Sequence, residues 1–347
     1  MKTISNTIKI KGAFLFAVLF SVATVFAQEE EKAEKKLTIS GSVDAYYQTY
    51  LTAPDNQSPA FGTAFADKSG FALGMANVIL SYEGEKAGVV IDLVTGPKGA
   101  GATFSSDIVD GIVNQAYAYW NVSESTTLTV GRWNTFLGYE VISPAANFNY
   151  STSYLFSSGP FSHMGIKADF ALSDDFSLML AVTNPWDTND TSTTGEYALG
   201  AQLGYSGQFL NLYYDSGEND GLGFEIDYTG GFDVTDSFFL GINAAYNDND
   251  GSGFYGAALY PQIATSDSFS LGLRGEYYGY HGDGDDLPSV FATTLTGSYT
   301  VDNLIIKPEV RLDSWSNYDG SFGNFIDSDG ASDDSLAAFT LAFIYSF

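Results

Sequence analysis

Residues 339–347 read FTLAFIYSF. Phe339, Leu341, Phe343, Tyr345 and Phe347 fall on one face of an extended chain. Thr340, Ala342 and Ser346 fall on the other, because successive side chains of a strand point to opposite sides. The same period of two recurs on working back along the chain. Leu304, Ile306, Pro308, Val310 and Leu312 alternate with Lys307, Glu309, Arg311 and Asp313. Phe269, Leu271, Leu273 and Tyr277 alternate with Ser270, Arg274, Glu276 and Tyr278. Phe224, Ile226 and Tyr228 alternate with Glu225 and Asp227, and Ile166, Ala168 and Phe170 alternate with Lys167 and Asp169. Near the start, Leu37, Ile39, Val43, Ala45 and Tyr47 alternate with Thr38, Ser40, Ser42, Asp44 and Gln48. Each segment is apolar on one side and polar on the other, a pattern of strands rather than of helices.

The connections between these segments come in two lengths. Short ones are expected at Glu83–Lys86, Ser123–Thr126, Ser173–Asp175, Ser206–Gln208, Thr235–Asp236, Ser266–Ser268 and Val301–Asn303. Longer polar ones are expected at 51–70, 95–111, 137–163, 187–195, 215–222, 247–253, 280–288 and 315–335. Seven short turns and eight long loops predict sixteen strands, each about ten residues long, as a tilted bilayer-spanning strand requires. Short turns at one end and long loops at the other is the layout of an outer-membrane barrel. The predicted class is therefore all-β, a transmembrane antiparallel up-and-down β-barrel over 37–347 with no helical segment in it. The terminal aromatics Tyr345 and Phe347 resemble the signal by which outer-membrane proteins are recognised for barrel assembly. This makes the barrel-assembly machinery and outer-membrane lipid expected partners.

Composition and the N-terminal residues agree with export. Lys2, Lys9 and Lys11 precede an apolar run from Gly12 to Val22, and Val25-Phe26-Ala27 offers a cleavage site before Gln28. Residues 1–27 read as a signal peptide, since the run is shorter than the roughly 20 residues of a membrane span. Residues 28–36 form a short charged lead. From Gln28 onward 11 basic residues face 42 acidic ones, a net charge of −31, which excludes a nucleic-acid partner for want of a basic surface. There is no Cys, hence no disulfide framework, thiolate metal site or Cys nucleophile.

In a membrane the apolar face turns to lipid and the polar face turns inward, and the sheet must close because lipid satisfies no backbone group. About eight strands fill their own lumen, whereas about sixteen leave an aqueous channel. The charged inward positions then become candidate pore-lining residues: Asp44, Asp92, Lys167, Asp169, Glu225, Asp227, Arg274, Glu276, Lys307, Glu309, Arg311 and Asp313. Such a density of charge is too costly for a dry core. Tyr82, Trp120, Trp186, Tyr205, Tyr246, Tyr299 and Tyr345 are candidates for the interfacial aromatic girdles.

Residues 131–167 read GRWNTFLGYEVISPAANFNYSTSYLFSSGPFSHMGIK. Gly131-Arg132, Gly138-Tyr139-Glu140, Asn147–Tyr150, Gly159-Pro160-Phe161 and His163 resemble the OmpL-like β-barrel porin family of Bacteroidetes-type outer membranes. Trp133 stands where that family leads one to expect Phe. The resemblance implies an outer-membrane barrel with porin activity, passing small hydrophilic solutes or ions, and no particular substrate. General porins often trimerise, so a homotrimer is compatible with this reading.

The connection 137–163 carries Phe148, Tyr150, Tyr154, Phe156 and Phe161 and few charges. An aromatic-rich loop is poorly suited to open solvent. It is expected to fold into the lumen as a constriction, with packing on the rim as the alternative. Arg132 and Glu140 would then stand at the constriction or brace its root. Strict alternation puts Arg132 on the lipid face with Leu128 and Val130, so either a bulge at Gly131 turns it inward or it lies beyond the membrane.

Other readings have less behind them. The acidic stretches Asn247-Asp248-Asn249-Asp250-Gly251, Asp283 with Asp285-Asp286, and Asp327-Asp329 with Asp333-Asp334 lack the full spacing of a calcium loop and read as solvated loops, so no metal site or cofactor is expected. Of the two histidines, only His281 has a carboxylate, Asp283, close by in sequence; no catalytic residue is assigned and the chain is not expected to be an enzyme. A transporter of about 22 strands with a plug needs a longer chain. A structural or adhesive barrel acting through its acidic loops is the main rival, and a secreted β-sandwich a third reading.

Overall fold

The computed structural model describes residues 36–54, 69–103, 110–189, 195–216, 221–284, 286–317, 329 and 333–347. The expected signal peptide, most of the charged lead, and Asp285 and Asp327 lie outside them. Sixteen antiparallel strands form one closed barrel, each bonded to its neighbours in sequence and the first to the last. They are β1 (Lys36–Tyr50), β2 (Gly70–Glu83), β3 (Ala87–Thr95), β4 (Val113–Ser123), β5 (Thr126–Asn134), β6 (Ser162–Ala171), β7 (Phe176–Thr183) and β8 (Ala198–Tyr205). The second half comprises β9 (Gln208–Tyr214), β10 (Phe224–Thr235), β11 (Phe238–Asp248), β12 (Gly253–Ala264), β13 (Phe269–His281), β14 (Ser289–Val301), β15 (Leu304–Ser316) and β16 (Ser335–Ser346).

The strand count and the alternation of short and long connections are those expected. The turn between β8 and β9 shows why so few residues suffice: Ser206 and Gly207 both take positive φ, 47° and 81°, the two-residue geometry whose twist matches paired strands. Closure runs through Ser42↔Ser346 to Tyr50↔Ala338. It is extended by reciprocal backbone bonds between Gly41 and Phe347. With every edge paired, no open ladder faces lipid.

The two faces separate as their residue types require. Leu271, Leu273, Leu295, Val310, Leu312 and Phe343 are exposed outward, while Arg274, Glu276, Thr294, Thr296, Glu309 and Arg311 are buried inside. Among the described residues no helix is long and apolar enough to cross a membrane; the apolar belt is carried by strands. Tyr82, Trp120, Tyr205, Tyr246, Tyr299 and Tyr345 are exposed. Trp186 is not a belt residue. It packs against the largest buried cluster, with Tyr154, Tyr213 and Trp315.

Among the described residues two short helices interrupt the all-strand expectation, α1 (Pro97–Thr103) and α2 (Tyr154–Ser158), with one 3₁₀ turn at Asp110–Ile112. In α2, Ser153 is the N-cap and its hydroxyl accepts from the Phe156 N–H, as a helix start requires. A single helical turn is too short to leave a periodic signal in sequence.

Candidate functional site: a loop clamped inside the lumen

The chain between β5 and β6 leaves at Asn134 and returns at Ser162, which pair with each other. Between them it crosses the barrel to the opposite wall. Such a segment has no ladder of its own, so its backbone groups need partners from elsewhere. The charged inner wall supplies them. Glu309 on β15 accepts the N–H groups of Tyr150 (2.6 Å) and Ser151 (3.0 Å). Glu276 on β13 accepts those of Tyr154 (3.0 Å) and Leu155 (2.9 Å). Asp227 on β10 accepts from Gly138. The cations take the carbonyls: Arg311 donates to Thr152 O, Arg274 to Ser151 O, and Lys307 to Pro144 O and Asn147 O.

Side chains of the loop complete the clamp. Arg274 and Glu140 form an ion pair at 2.6 Å, and the other oxygen of Glu140 accepts the Ser153 N–H. The hydroxyls of Tyr150 and Tyr154 donate to Asp44 and Asp313. Charge-assisted bonds of this kind are about twice as strong as neutral ones, and burial makes each of them costly to break. Burial raises both tyrosine hydroxyls well above their ordinary pKa, with the neighbouring carboxylates acting in the same direction.

Inner-wall glycines make room for the loop's aromatic rings. A Cβ added at Gly241 would stand 2.3 Å from the Tyr139 hydroxyl oxygen, and one at Gly272 would stand 2.3 Å from a ring carbon of Phe148. Tyr139 also stacks on Tyr260 at 4.3 Å. Gly272→Ala or Gly241→Ala is expected to destabilise the folded barrel by about 1–3 kcal/mol through overpacking. The denaturant midpoint of heat-modifiable gel mobility measures this; an unchanged midpoint for both would mean the rings do not depend on these seats.

The sequence candidates separate into groups. Glu140, Phe148, Tyr150, Tyr154, Asp227, Arg274, Glu276, Lys307, Glu309, Arg311 and Asp313 come together in the clamp. Phe156 packs with Phe161, Met75 and Ile142 rather than with the charged wall. Glu225 is buried on the same face of β10 as Asp227. Asp92 accepts from Asn77 and Asn114. Lys167 and Asp169 pair with each other at 3.0 Å on β6. Alternation alone puts these wall charges in open water; most of them instead lie beneath the loop and hold its backbone.

Arg132 takes its place without a bulge. Gly131 has φ +129°, yet β4 and β5 stay in register through Gly131 and Arg132, so no bulge turns the side chain. Arg132 is buried because Ser162 Oγ and Thr103 O accept from its guanidinium. It ties the root of the third loop to the end of α1. Asp187 meets the same root, accepting from the Phe161 and Ser162 N–H groups. Burial pushes its carboxyl up to about 6 against those bonds.

One participant carries no sequence signal beyond being the single cation of its connection. Lys98 on α1 pairs with Asp44 at 3.1 Å and lies 3.4 Å from the centre of the Tyr150 ring. Burial lowers its pKa to about 7, with Asp44 opposing. The histidines are built into structure: His163 meets Thr135 Oγ1, and His281 meets the Asn247 carbonyl and stacks on Tyr246. The acidic stretch at 247–253 is a tight hairpin turn with Asp250 and Gly251 at positive φ.

A closed sixteen-stranded barrel with a charged interior and a loop folded across it has the architecture of a porin. Residues 36–347 match the protein family described as "Putative beta-barrel porin-2, OmpL-like", and the chain belongs to that family. Salmonella typhi OmpF, solved in complex with daunomycin, has a similar fold, with TM-score 0.57 and 12% identity over 90% of this chain and 98% of that one. In vitro folded OmpT of Vibrio cholerae, in its trimer form, is also similar, with TM-score 0.55 and 11% identity over 90% and 99%. No curated protein matches the chain in sequence.

Proposed function

We infer that this protein is an outer-membrane porin, a barrel through which small hydrophilic solutes or ions diffuse passively, without covalent chemistry. The observation that carries this reading is the third loop: it is drawn across a closed barrel and tied to the far wall by charged side chains. A structural plug could be apolar and dry. Here the interior instead keeps a polar wall, and the loop narrows the passage without belonging to the ladder. Segment 1–27 would direct export, Tyr345 and Phe347 would present the assembly signal, and a homotrimer in outer-membrane lipid fits the outward apolar belt.

The test is single-channel recording in planar bilayers, using the protein purified from outer membranes of a porin-deficient host. Discrete current steps in KCl are expected. A barrel shown to be folded by heat-modifiable mobility, yet silent in the bilayer, would transfer the function to the outer loops, as an adhesive or structural protein.

A further inference from the structure

The inner wall carries four pairs of opposite charge spaced two residues apart: Lys307 with Glu309, Arg311 with Asp313, Arg274 with Glu276, and Lys167 with Asp169. Three of the pairs are consumed by the third loop, as its carbonyl and N–H partners, or through the Tyr154 hydroxyl. Their six members are between 0 and 4% exposed. Glu140, which brings the loop's own charge into the clamp, is spent on Arg274.

The fourth pair stands apart. Lys167 and Asp169 lie on β6, between β5 and β7, and share a face with the buried Met179 and Ala181 opposite them in register. That face is the lumen. They bond to each other; Lys167 also lies 6.0 Å from the Trp133 ring and within electrostatic reach of His163, and Asp169 within reach of Tyr117. Their side chains are 8 and 26% exposed, more than those of any other ion pair between Lys or Arg and a carboxylate in the described barrel. At its root the third loop packs Phe136 against Trp133, Met179 and Ala181, and beyond Phe136 it reaches away from this sector, to β10, β13, β15 and β1. Asp92, the other inward carboxylate of β3–β7, is capped by two asparagine amides.

We propose that the Lys167–Asp169 pair is the selectivity-determining element of the pore, and that solutes pass along the β4–β7 wall, across the lumen from the charges of β13 and β15 that clamp the loop. The proposal rests on the porin reading above. A field from charges already paired and covered is weak in the passage, whereas a pair with water on one side acts on every ion that passes. A plus and a minus this close leave a small net preference, so the unmodified pore admits small polar solutes of either sign, zwitterions included. Removing one member uncovers the other.

Reversal potentials under a KCl gradient decide it. Lys167→Gln is expected to shift the K⁺/Cl⁻ permeability ratio about threefold toward K⁺, and Asp169→Asn about threefold toward Cl⁻, the scale of one unit charge in a watery passage. The double variant returns close to the parent. If Lys167→Gln fails to assemble, Asp169→Asn, at the more exposed member, carries the test alone. Channels of normal conductance whose reversal potential ignores Asp169→Asn would overturn the assignment and leave the porin intact. A parent protein that never conducts would instead remove the porin reading itself.

Discussion

Replacing residues 136–160 with a short Gly-Ser linker is expected to raise single-channel conductance several-fold while the barrel still assembles. The wall does not need the loop to close: all sixteen ladders are formed between strands, and Asn134 faces Ser162 across the root, so a tight hairpin spans the gap. What the loop leaves behind is Arg274, Glu276, Lys307, Glu309, Arg311 and Asp313, whose charges water solvates once the segment is gone. The lumen then approaches the open section of a barrel of this strand number. Conductance that stays at the parental level in a folded variant would show that the constriction lies elsewhere. Larger hydrophilic solutes should enter in proportion, which liposome swelling measures independently.

Arg274→Ala should be the most damaging single substitution in the clamp. The guanidinium holds Glu140 Oε1, Ser151 O, Ser151 Oγ and Thr294 Oγ1. Its removal strands a buried carboxylate and an unpaired carbonyl, a loss of about 3–5 kcal/mol for a broken buried pair. The denaturant midpoint should fall accordingly, and the current should become larger and noisier as the loop loosens. Adding Glu140→Gln should recover part of the loss, because the orphaned charge disappears, and a double-mutant cycle gives the coupling. A loss below about 1 kcal/mol, the range of exposed pairs, would mean the ion pair does not secure the loop.

The elements of this site differ in how legible they are from sequence. The charged doublets of β13 and β15 stand out because they interrupt alternating apolar strands on a fixed face. Their partners do not stand out: Arg274 meets Glu140 across a sequence separation of 134 residues, and the hydrogen bonds use backbone groups that any residue carries. Gly241 and Gly272 look like ordinary strand interruptions until Tyr139 and Phe148 lie over them. Lys98 reads as a loop lysine, and only the fold brings it over Tyr150. Arg132 shows the limit of periodicity. Its side follows from alternation, but its burial comes from the neighbouring connection and the returning strand.

By itself the sequence determines that this chain is a sixteen-stranded barrel with an apolar outside. Side-chain alternation and turn length are local properties, and pairing between neighbours follows from them. It also marks 137–163 as a loop that solvent would not suit. Only the tertiary structure decides which wall receives that loop, which charges it covers and which pair is left facing water. Those outcomes depend on distances across a closed cylinder, where residues far apart in sequence compete for the same backbone donors and acceptors, and no local pattern encodes that competition.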